Sequence, residues 1–235
     1  MAFRLSNLSS TALGYLMFVG SQLLARATDV GADDLIQLQA SVASGQPVIC
    51  VGWHSQVAAA LAVIPRLLGR RSVAIMVLAN YKGRVLSAYA KRLRMPALAI
   101  GDSPIERLQS VARLTELVRA DHLAFLAADG PKGPAFQAKD AIVLVAQRAG
   151  ARLLPCALVC DRHLTLAWRW DRHVVPLPGA RLRLHTGRAI DPGRPGDAAA
   201  TARARIELQQ ALVGVNKDAR EFLSRRPDSQ PDVRY

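Results

Sequence analysis

The sequence predicts an α/β domain in which helices flank both faces of a mainly parallel central sheet. From residue 47 onward, short apolar runs alternate with longer amphipathic ones, as in the crossover units that join parallel strands. Hydrophobic residues make up 51% of the 235 residues, which is enough for a large core. No internal repeat or linker divides this region, so we expect one domain over residues 45–224.

Each predicted element rests on its own run of residues. Five apolar runs predict strands, at residues 47–53, 72–79, 97–100, 122–128 and 152–160. Amphipathic runs predict helices at 55–68, 83–94, 104–120 and 138–149, and a last helix from near Asp197 to Val215 or beyond. We expect three strand-like pieces, which Pro and Gly separate, to extend the sheet or cover its edge, at 164–170, 174–177 and 181–186.

The start of the helix at 104–120 has a clear local signal. Ser103 is a good cap, Pro104 suits the first helical position, and Glu106 stands three residues after the cap. These residues predict a capping box, in which the Ser and Glu side chains each accept a hydrogen bond from the other residue's backbone N–H.

The N-terminal segment, residues 1–44, is predicted to be helical and to associate with a membrane. No charged residue occurs between Arg4 and Arg26, but Ser, Asn, Thr and Gln dilute this stretch. A helix that lies in the membrane interface therefore fits better than one that spans the bilayer. A cleaved signal peptide is the alternative, since residues 25–27 weakly resemble a cleavage site. The polar tail at 225–235 is predicted to be disordered.

The formal charge of +13 predicts an anionic partner. Nucleic acid is disfavoured because aromatic residues make up only 5% of the chain and form no cluster with basic residues on which bases could stack. The basic residues interrupt apolar segments instead, as at 64–71 and 90–95, which fits the surface of an anionic membrane. A plain solvating role for these arginines is the alternative.

Cysteine usage indicates neither a metal site nor an oxidising compartment. Cys50, Cys156 and Cys160 lie inside apolar runs, and none has the spacing of a zinc site. A sparse, odd set of thiols suits core packing in a reducing compartment.

Polar residues follow the predicted strands at the edge where a parallel sheet binds ligands. His54 follows the strand at 47–53, Asn80 follows 72–79, and Asp102 stands two residues after 97–100. The run DGPKGP at 129–134 follows the strand at 122–128. Because ligands bind beyond the carboxyl ends of parallel strands, we expect the functional site at this edge.

His54 at this edge is a candidate general base, and such a base needs a group that holds its ring. No Asp or Glu occurs between Asp34 and Asp102, so the partner must come from far along the chain. Asp129 and Asp102 are the candidates, and Asp129 is favoured. The alternative is a structural histidine bonded to a backbone carbonyl.

The run DGPKGP predicts a stiff, sharply turned loop that a ligand can approach closely. Lys132 at its tip is a mobile positive charge suited to a phosphate or carboxylate. The spacing of a nucleotide-binding phosphate loop is absent. An ordinary turn is the alternative.

Three runs in this order resemble a known family. They are the pair Trp53-His54 after an apolar strand, AADGPKGP at 127–134, and WDRHVVPLP at 170–178. Together they resemble the bacterial lysophospholipid-acyltransferase-like family (DUF374). That family is similar to the glycerolipid acyltransferases, whose motifs are His-x-x-x-x-Asp and Glu-Gly-Thr-Arg. The similarity covers residues 45–190 and implies the glycerolipid acyltransferase-like α/β fold.

The resemblance implies a role for each matching residue. His54 matches the histidine that acts as general base, and Asp129 matches the Glu of the Glu-Gly pair. Lys132 matches the arginine that holds the phosphate of the acceptor. The catalytic residues implied are therefore His54 and Asp129. The substrate-binding residues expected at this edge are Lys132, Gly130, Pro131, Gly133 and Asn80.

The activity that the resemblance implies is transfer of a fatty acyl group from acyl-CoA or acyl carrier protein to a lysophospholipid or another lipid or glycolipid hydroxyl. It needs neither a metal nor a bound cofactor. The expected location is the cytoplasmic face of the inner membrane, where a peripheral or monotopic protein binds anionic lipids. A non-catalytic lipid-binding protein on the same fold is the alternative, because Ala59 replaces the aspartate of the histidine motif.

Overall fold

The computed structural model describes residues 2–26, 28–30, 46–57, 59–60, 72–120 and 122–224. Most of the predicted helix at 55–68, the basic run at 64–71 and the tail at 225–235 lie outside the described residues. The described chain is α/β, with a mostly parallel central sheet that helices flank. The predicted fold class is thus confirmed at this level.

The central sheet of the described chain has seven strands. The strands of the described chain are β1 (Asp29–Val30), β2 (Val48–Gly52), β3 (Val73–Leu78), β4 (Ala97–Ile100), β5 (Leu123–Ala127), β6 (Arg152–Cys160), β7 (His163–Leu166), β8 (His173–Pro176) and β9 (Arg181–Thr186). The sheet order is β1-β9-β6-β2-β5-β3-β4, and the strands from β6 to β4 are all parallel. β9 runs antiparallel to β6, and β1 lies parallel beside β9.

Five α-helices are described in addition to a single 3-10 turn at His54–Gln56. They are α1 (Ala2–Arg26), α2 (Tyr81–Arg92), α3 (Pro104–Arg119), α4 (Asp140–Ala149) and α5 (Ala198–Ser224). The predicted capping box at the start of α3 is confirmed, because Ser103 and Glu106 accept hydrogen bonds from each other's backbone N–H.

The sheet separates two apolar cores. Side chains alternate along β2, so that Cys50 belongs to one core and Val51 to the other. On the first face, α2 contributes Tyr89, and Phe18 of α1 packs against the same core. On the second face, α3, α4 and α5 cover the sheet. β2 is buried along its whole length, and this central position fixes the place where the chain emerges at His54.

The N-terminal helix α1 packs closely on α2. A Cβ at Gly14 would lie 2.6 Å from the Cβ of Ala88, so only glycine allows this approach. The far side of α1 exposes apolar side chains, among them Leu13, Leu16 and Leu23. No helix in the described part of the chain has the length and hydropathy that crossing a membrane requires.

The segment after β6 departs from the prediction. The predicted strand at 164–170 ends at Leu166, and residues 167–172 form turns before β8. Among the described strands, β7 and β8 pair only with each other, as an antiparallel hairpin. Only the piece at 181–186 extends the central sheet, as β9. The short β7–β8 hairpin instead carries its turn to the carboxyl edge of β2.

Candidate active site

His54 and Asp129 come together because their strands are neighbours. β2 and β5 pair in parallel register, with Gly52 opposite Ala127, so both chains emerge at the same edge. Asp129 is 1% exposed, and its carboxylate accepts hydrogen bonds from two backbone N–H groups. These donors are His54 N, at 2.9 Å from Oδ1, and Phe136 N, at 3.1 Å from Oδ2. Asp129 therefore joins the end of β2 to the loop after β5.

The prediction that Asp129 holds the imidazole of His54 was wrong. Its oxygens bond main-chain groups, whereas the ring donates from Nδ1 to Oδ2 of Asp171 at 2.8 Å. Asp171 lies in the turn between β7 and β8 and is fully buried. The reason is the position of each side chain. Asp129 stands at the start of the loop after β5, where its carboxylate meets the neighbouring backbone. The turn of the β7–β8 hairpin packs against the His54 ring, so the carboxylate of Asp171 meets Nδ1.

The carboxylate of Asp171 is surrounded by donors. Arg169 donates to both of its oxygens, from Nε to Oδ1 and from Nη2 to Oδ2, each at 2.9 Å. Nδ1 of His173 lies 3.3 Å from Oδ2. Burial alone raises the pKa of Asp171, but the hydrogen bonds from Arg169 and His54 and the charges of Arg169 and His173 outweigh it and bring this pKa well below its usual range. Asp171 is therefore an anion under physiological conditions.

His173 differs from His54 in its surroundings. Its side chain is 14% exposed, against 26% for His54. Burial lowers the pKa of His173, and the charge of Asp171 opposes this shift without cancelling it. His54 is thus the more accessible of the two imidazoles that share Asp171.

Trp170 covers one side of the His54 ring. The ring centroids are 5.1 Å apart and the ring planes are tilted by 47°. Trp170 also lies on Gly133, where a Cβ would come within 2.6 Å of the indole. The β7–β8 turn thus packs on both the histidine and the 129–134 loop. Because Nδ1 faces buried Asp171, the accessible part of the His54 ring is the side that carries Nε2.

The 129–134 loop is sharply turned and fastened at its far end. Gly130 and Gly133 have φ of +65° and +66°, and Phe136 has φ of +62°, an uncommon conformation for a residue with a side chain. Gln209 of α5 donates to Phe136 O at 3.1 Å and accepts from Ala138 N at 2.8 Å. The stiff loop that the sequence predicts is therefore held in place from α5.

Lys132 lies at the tip of this loop, exposed to solvent. Its ammonium forms no ion pair with any residue in the described ranges. The backbone N–H groups of Lys132 and Gly133 likewise donate to no described residue. Pro131 stands beside them, so this part of the loop presents a positive charge and two N–H donors.

Asn80 and Asp102 lie away from His54. Asn80 follows β3, two strands from β2, and its side chain accepts from Gly83 N as the cap of α2. Asp102 follows β4, the edge strand, and is exposed. The structure therefore gives Asn80 a capping role, and it does not bring Asp102 to the histidine as the second predicted partner.

His54, Asp171 and His173 form a group whose ligand atoms lie within 4.8 Å of one another. Such a set could hold a metal ion in principle. Here, however, Arg169 bonds both oxygens of Asp171, and both imidazoles point their Nδ1 atoms at that carboxylate. A cation would have to displace a guanidinium that already neutralises the acid. The arrangement fits an ion-paired acid better than a metal centre.

A second concavity lies at the opposite edge of the sheet. It has a volume of about 590 Å³ and is lined by residues before β2 and at the start of β6, including Arg152, together with Gln147 of α4 and Asp191 in the loop after β9. Arg152 donates to a backbone carbonyl, and Asp191 accepts from the backbone of its own loop. Since these polar groups are already bound within the loops, we place the candidate site at His54.

Sequence reasoning missed the residues of the β7–β8 turn as parts of the site. A signal was present, because residues 169–173 read Arg-Trp-Asp-Arg-His, an acid set among cations and an aromatic residue. His54 and Asp171 are 117 residues apart, and only the hairpin geometry brings them together.

No protein-family model matches this chain, and no curated protein shows significant similarity to it. The arrangement around His54 is therefore what indicates a function for this protein.

Proposed function

We propose that this protein is an acyltransferase that moves a fatty acyl group from a thioester donor to a lipid hydroxyl. The single observation that carries the proposal is the 2.8 Å hydrogen bond from His54 Nδ1 to the fully buried carboxylate of Asp171. This bond keeps the proton on Nδ1 and leaves the lone pair of Nε2 on the accessible side of the ring. A histidine held in this way is a general base for a hydroxyl.

The proposed reaction begins when Nε2 of His54 takes the proton of the acceptor hydroxyl. The acceptor oxygen then forms a bond to the thioester carbonyl carbon, and the carbonyl oxygen becomes an oxyanion. Collapse of this intermediate breaks the carbon–sulfur bond. The departing thiolate takes the proton from the imidazolium, which restores His54. Asp171 stabilises the imidazolium between these steps, and general-base help of this kind contributes about 10²–10⁴-fold.

The 129–134 loop is suited to the charges that this reaction involves. The backbone N–H groups of Lys132 and Gly133 are candidate donors to the oxyanion, a contribution of about 3–4 kcal/mol where such donors have been removed in other enzymes. The ammonium of Lys132 is a candidate partner for the phosphate of a lysophospholipid. Asp129 acts as a positioning residue, because it holds the backbone of both His54 and the loop.

A lipid acceptor and a membrane location are supported by the surface. α1 exposes Leu13, Leu16 and Leu23 on the side away from α2, and the chain carries a net charge of +13. A helix of this kind can lie in the interface of an anionic membrane. We therefore propose a peripheral or monotopic protein on the cytoplasmic face of the inner membrane. The donor is acyl-CoA or acyl carrier protein.

The test is an acyl-transfer assay with purified full-length protein, acyl-CoA and lysophospholipid in mixed vesicles, with the product identified by mass spectrometry. We expect His54→Ala to abolish product formation. His122→Asn is the matched control, because His122 stands before β5 at the opposite edge of the sheet. Undiminished turnover in His54→Ala would remove this residue from the mechanism.

The alternative, a non-catalytic lipid-binding protein, is favoured by one observation. The position five residues after His54 holds Ala59, which is buried and cannot assist the ring. If the wild-type protein and His54→Ala bind lysophospholipid equally and neither makes product from acyl-CoA or from acyl carrier protein, the alternative replaces the proposed function.

A further inference from the structure

The β7–β8 hairpin exposes an unusual amount of apolar surface beside the candidate site. Trp168 is 79% exposed, Leu164 is 53% exposed and Leu177 is 39% exposed. A tryptophan is a large apolar side chain with a single polar N–H, and this degree of exposure is costly in water. The side chain contributes nothing to the core and is free to be covered by a partner.

The turn of the hairpin divides its side chains between two directions. Trp170 and Asp171 point inward, to the ring of His54 and its Nδ1 atom. Trp168, only two residues before Trp170, points outward into solvent. Whatever covers Trp168 therefore lies at the mouth of the candidate site.

The charges around this apolar surface are unbalanced. The two acids of the hairpin region are already bound, Asp161 by Arg181 and Asp171 by Arg169. The exposed cations Arg162, Arg172 and Lys132 form no ion pair with described residues. The exposed surface of this region therefore combines apolar side chains with positive charges that no described acid neutralises.

We propose that the exposed apolar surface of the β7–β8 hairpin, defined by Leu164, Trp168 and Leu177, docks on the surface of an anionic lipid bilayer. Tryptophan favours the headgroup level of a bilayer, where its ring is covered and its N–H stays hydrated. Arg162, Arg172 and Lys132 lie where they can meet anionic headgroups. Nucleic acid fits less well, because Leu164 and Leu177 offer no face on which a base could stack.

The role of this docking surface in catalysis rests on the proposed function. The binding to the bilayer does not depend on catalysis. With the hairpin on the bilayer, the 129–134 loop and the His54 ring face the lipid headgroups. An acceptor lipid then reaches Nε2 of His54 without leaving the membrane. The hairpin surface is distinct from α1, whose Gly14 packs against Ala88 of α2.

The first experiment measures quenching of tryptophan fluorescence in full-length protein by vesicles of brominated phosphatidylglycerol. The chain has three tryptophans. Trp53 is 3% exposed, and Trp170, which packs on His54 and Gly133, is 39% exposed, against 79% for Trp168. We expect strong quenching in the wild-type protein and loss of most of it in Trp168→Phe. The proposal is overturned if vesicle-bound protein shows no quenching, or if Trp168→Phe is quenched as strongly as the wild type.

The second experiment measures vesicle affinity by flotation for Trp168→Ser. We expect about tenfold weaker binding to phosphatidylglycerol vesicles, from the loss of a buried aromatic side chain. Ile105→Ser is the matched control, because Ile105 is 68% exposed on α3, and we expect unchanged binding. Equal losses in both variants would contradict a dedicated surface. The proposal would also be contradicted if Trp168→Ser weakened binding to acyl carrier protein or duplex DNA and left binding to vesicles unchanged.

The outcome for docking is distinguishable from the outcome for catalysis. We expect His54→Ala to retain full fluorescence quenching while it loses turnover. A wild-type protein that is quenched through Trp168 but makes no product would leave the docking surface established and remove the proposed activity. Equal binding to phosphatidylcholine and phosphatidylglycerol vesicles would contradict the role of the three cations.

Discussion

Two loops meet at His54, and each brings a buried aspartate into a different environment. The loop after β5 supplies Asp129, which accepts hydrogen bonds from two backbone N–H groups, and burial raises its pKa. The β7–β8 turn supplies Asp171, which is surrounded by Arg169 and two imidazoles, and its pKa falls despite burial. Asp129 holds the backbone of His54 and of the 129–134 loop in place, whereas Asp171 provides the negative charge beside the His54 ring. Substitutions that keep side-chain size separate these two roles.

The largest expected effect is that of Asp171→Asn on catalysis. A neutral amide neither holds the Nδ1 proton nor stabilises the imidazolium, so we expect kcat to fall about 10²–10⁴-fold. The acceptor KM should change little, because Asp171 is buried behind the ring and does not face the acceptor. Steady-state kinetics with purified variants measures both constants. Asp102→Asn is the control, and a loss of kcat as large in that variant would contradict the assignment.

Asp129→Asn should act mainly on stability. An amide can accept a hydrogen bond with its oxygen but presents N–H to the second backbone donor, which leaves one buried group unsatisfied. We expect the free energy of unfolding to fall by about 1–3 kcal/mol, as measured by urea denaturation. A fall in kcat comparable to that of Asp171→Asn, with unchanged stability, would reverse the roles of the two aspartates.

Substitution of Gly133 tests whether activity requires the contact between the 129–134 loop and Trp170 of the β7–β8 turn. In Gly133→Ala the new Cβ meets the indole of Trp170 at 2.6 Å, and φ of +66° adds strain. Gly130→Ala has nearly the same φ, +65°, but its Cβ meets open space. We expect both variants to lose about 1–2 kcal/mol of stability from backbone strain. Only Gly133→Ala should also lower kcat, by about tenfold, because the new Cβ displaces Trp170 from its position on the His54 ring. Equal kcat in the two variants would show that this contact does not matter.

The smallest expected effect is on the pH dependence of stability, where the two aspartates differ in sign. The pKa of Asp171 is lowered, so near and below the ordinary value of about 4 the unfolded chain binds a proton that the folded chain does not. Its contribution is present above that range and is lost as the pH falls. The pKa of Asp129 is raised, so above about pH 4 the folded chain binds more protons and its contribution grows as the pH falls.

Urea denaturation between pH 2.5 and 6 measures these slopes. Relative to the wild type, we expect a shallower acid loss of stability in Asp171→Asn. In Asp129→Asn we expect a steeper loss. A change of slope in the same direction in both variants would contradict the contrast.

Most of the sheet could be predicted because its strands are short apolar runs, which the local sequence alone is enough to identify. The predicted strands at 97–100 and 152–160 have the bounds of β4 and β6. The capping box at Ser103 was predictable for the same reason, since its two residues stand three apart. The predicted strand at 164–170 failed beyond Leu166, because the chain turns there and brings Trp170 to the ring of His54.

The site could be predicted only where it follows from strand order. Parallel pairing of β2 and β5 makes it inevitable that His54 and Asp129 meet. Nothing local indicates where a hairpin outside the central sheet places its turn, so the pairing of His54 with Asp171 could not be read from spacing. Asn80 shows another limit of the sequence, because a polar residue after a strand predicts a ligand contact, whereas the bond that its side chain forms in the structure caps a helix.

The last helix of the described chain has a consequence for synthesis on the ribosome. Gln209 of α5 bonds both Phe136 and Ala138, and Asn216 accepts a 2.7 Å hydrogen bond from buried Gln56, two residues after His54. A nascent polypeptide therefore lacks these two fastenings until α5 has left the exit tunnel. We expect ribosome-bound chains that stop before residue 198 to be inactive, because α5 is still missing from them.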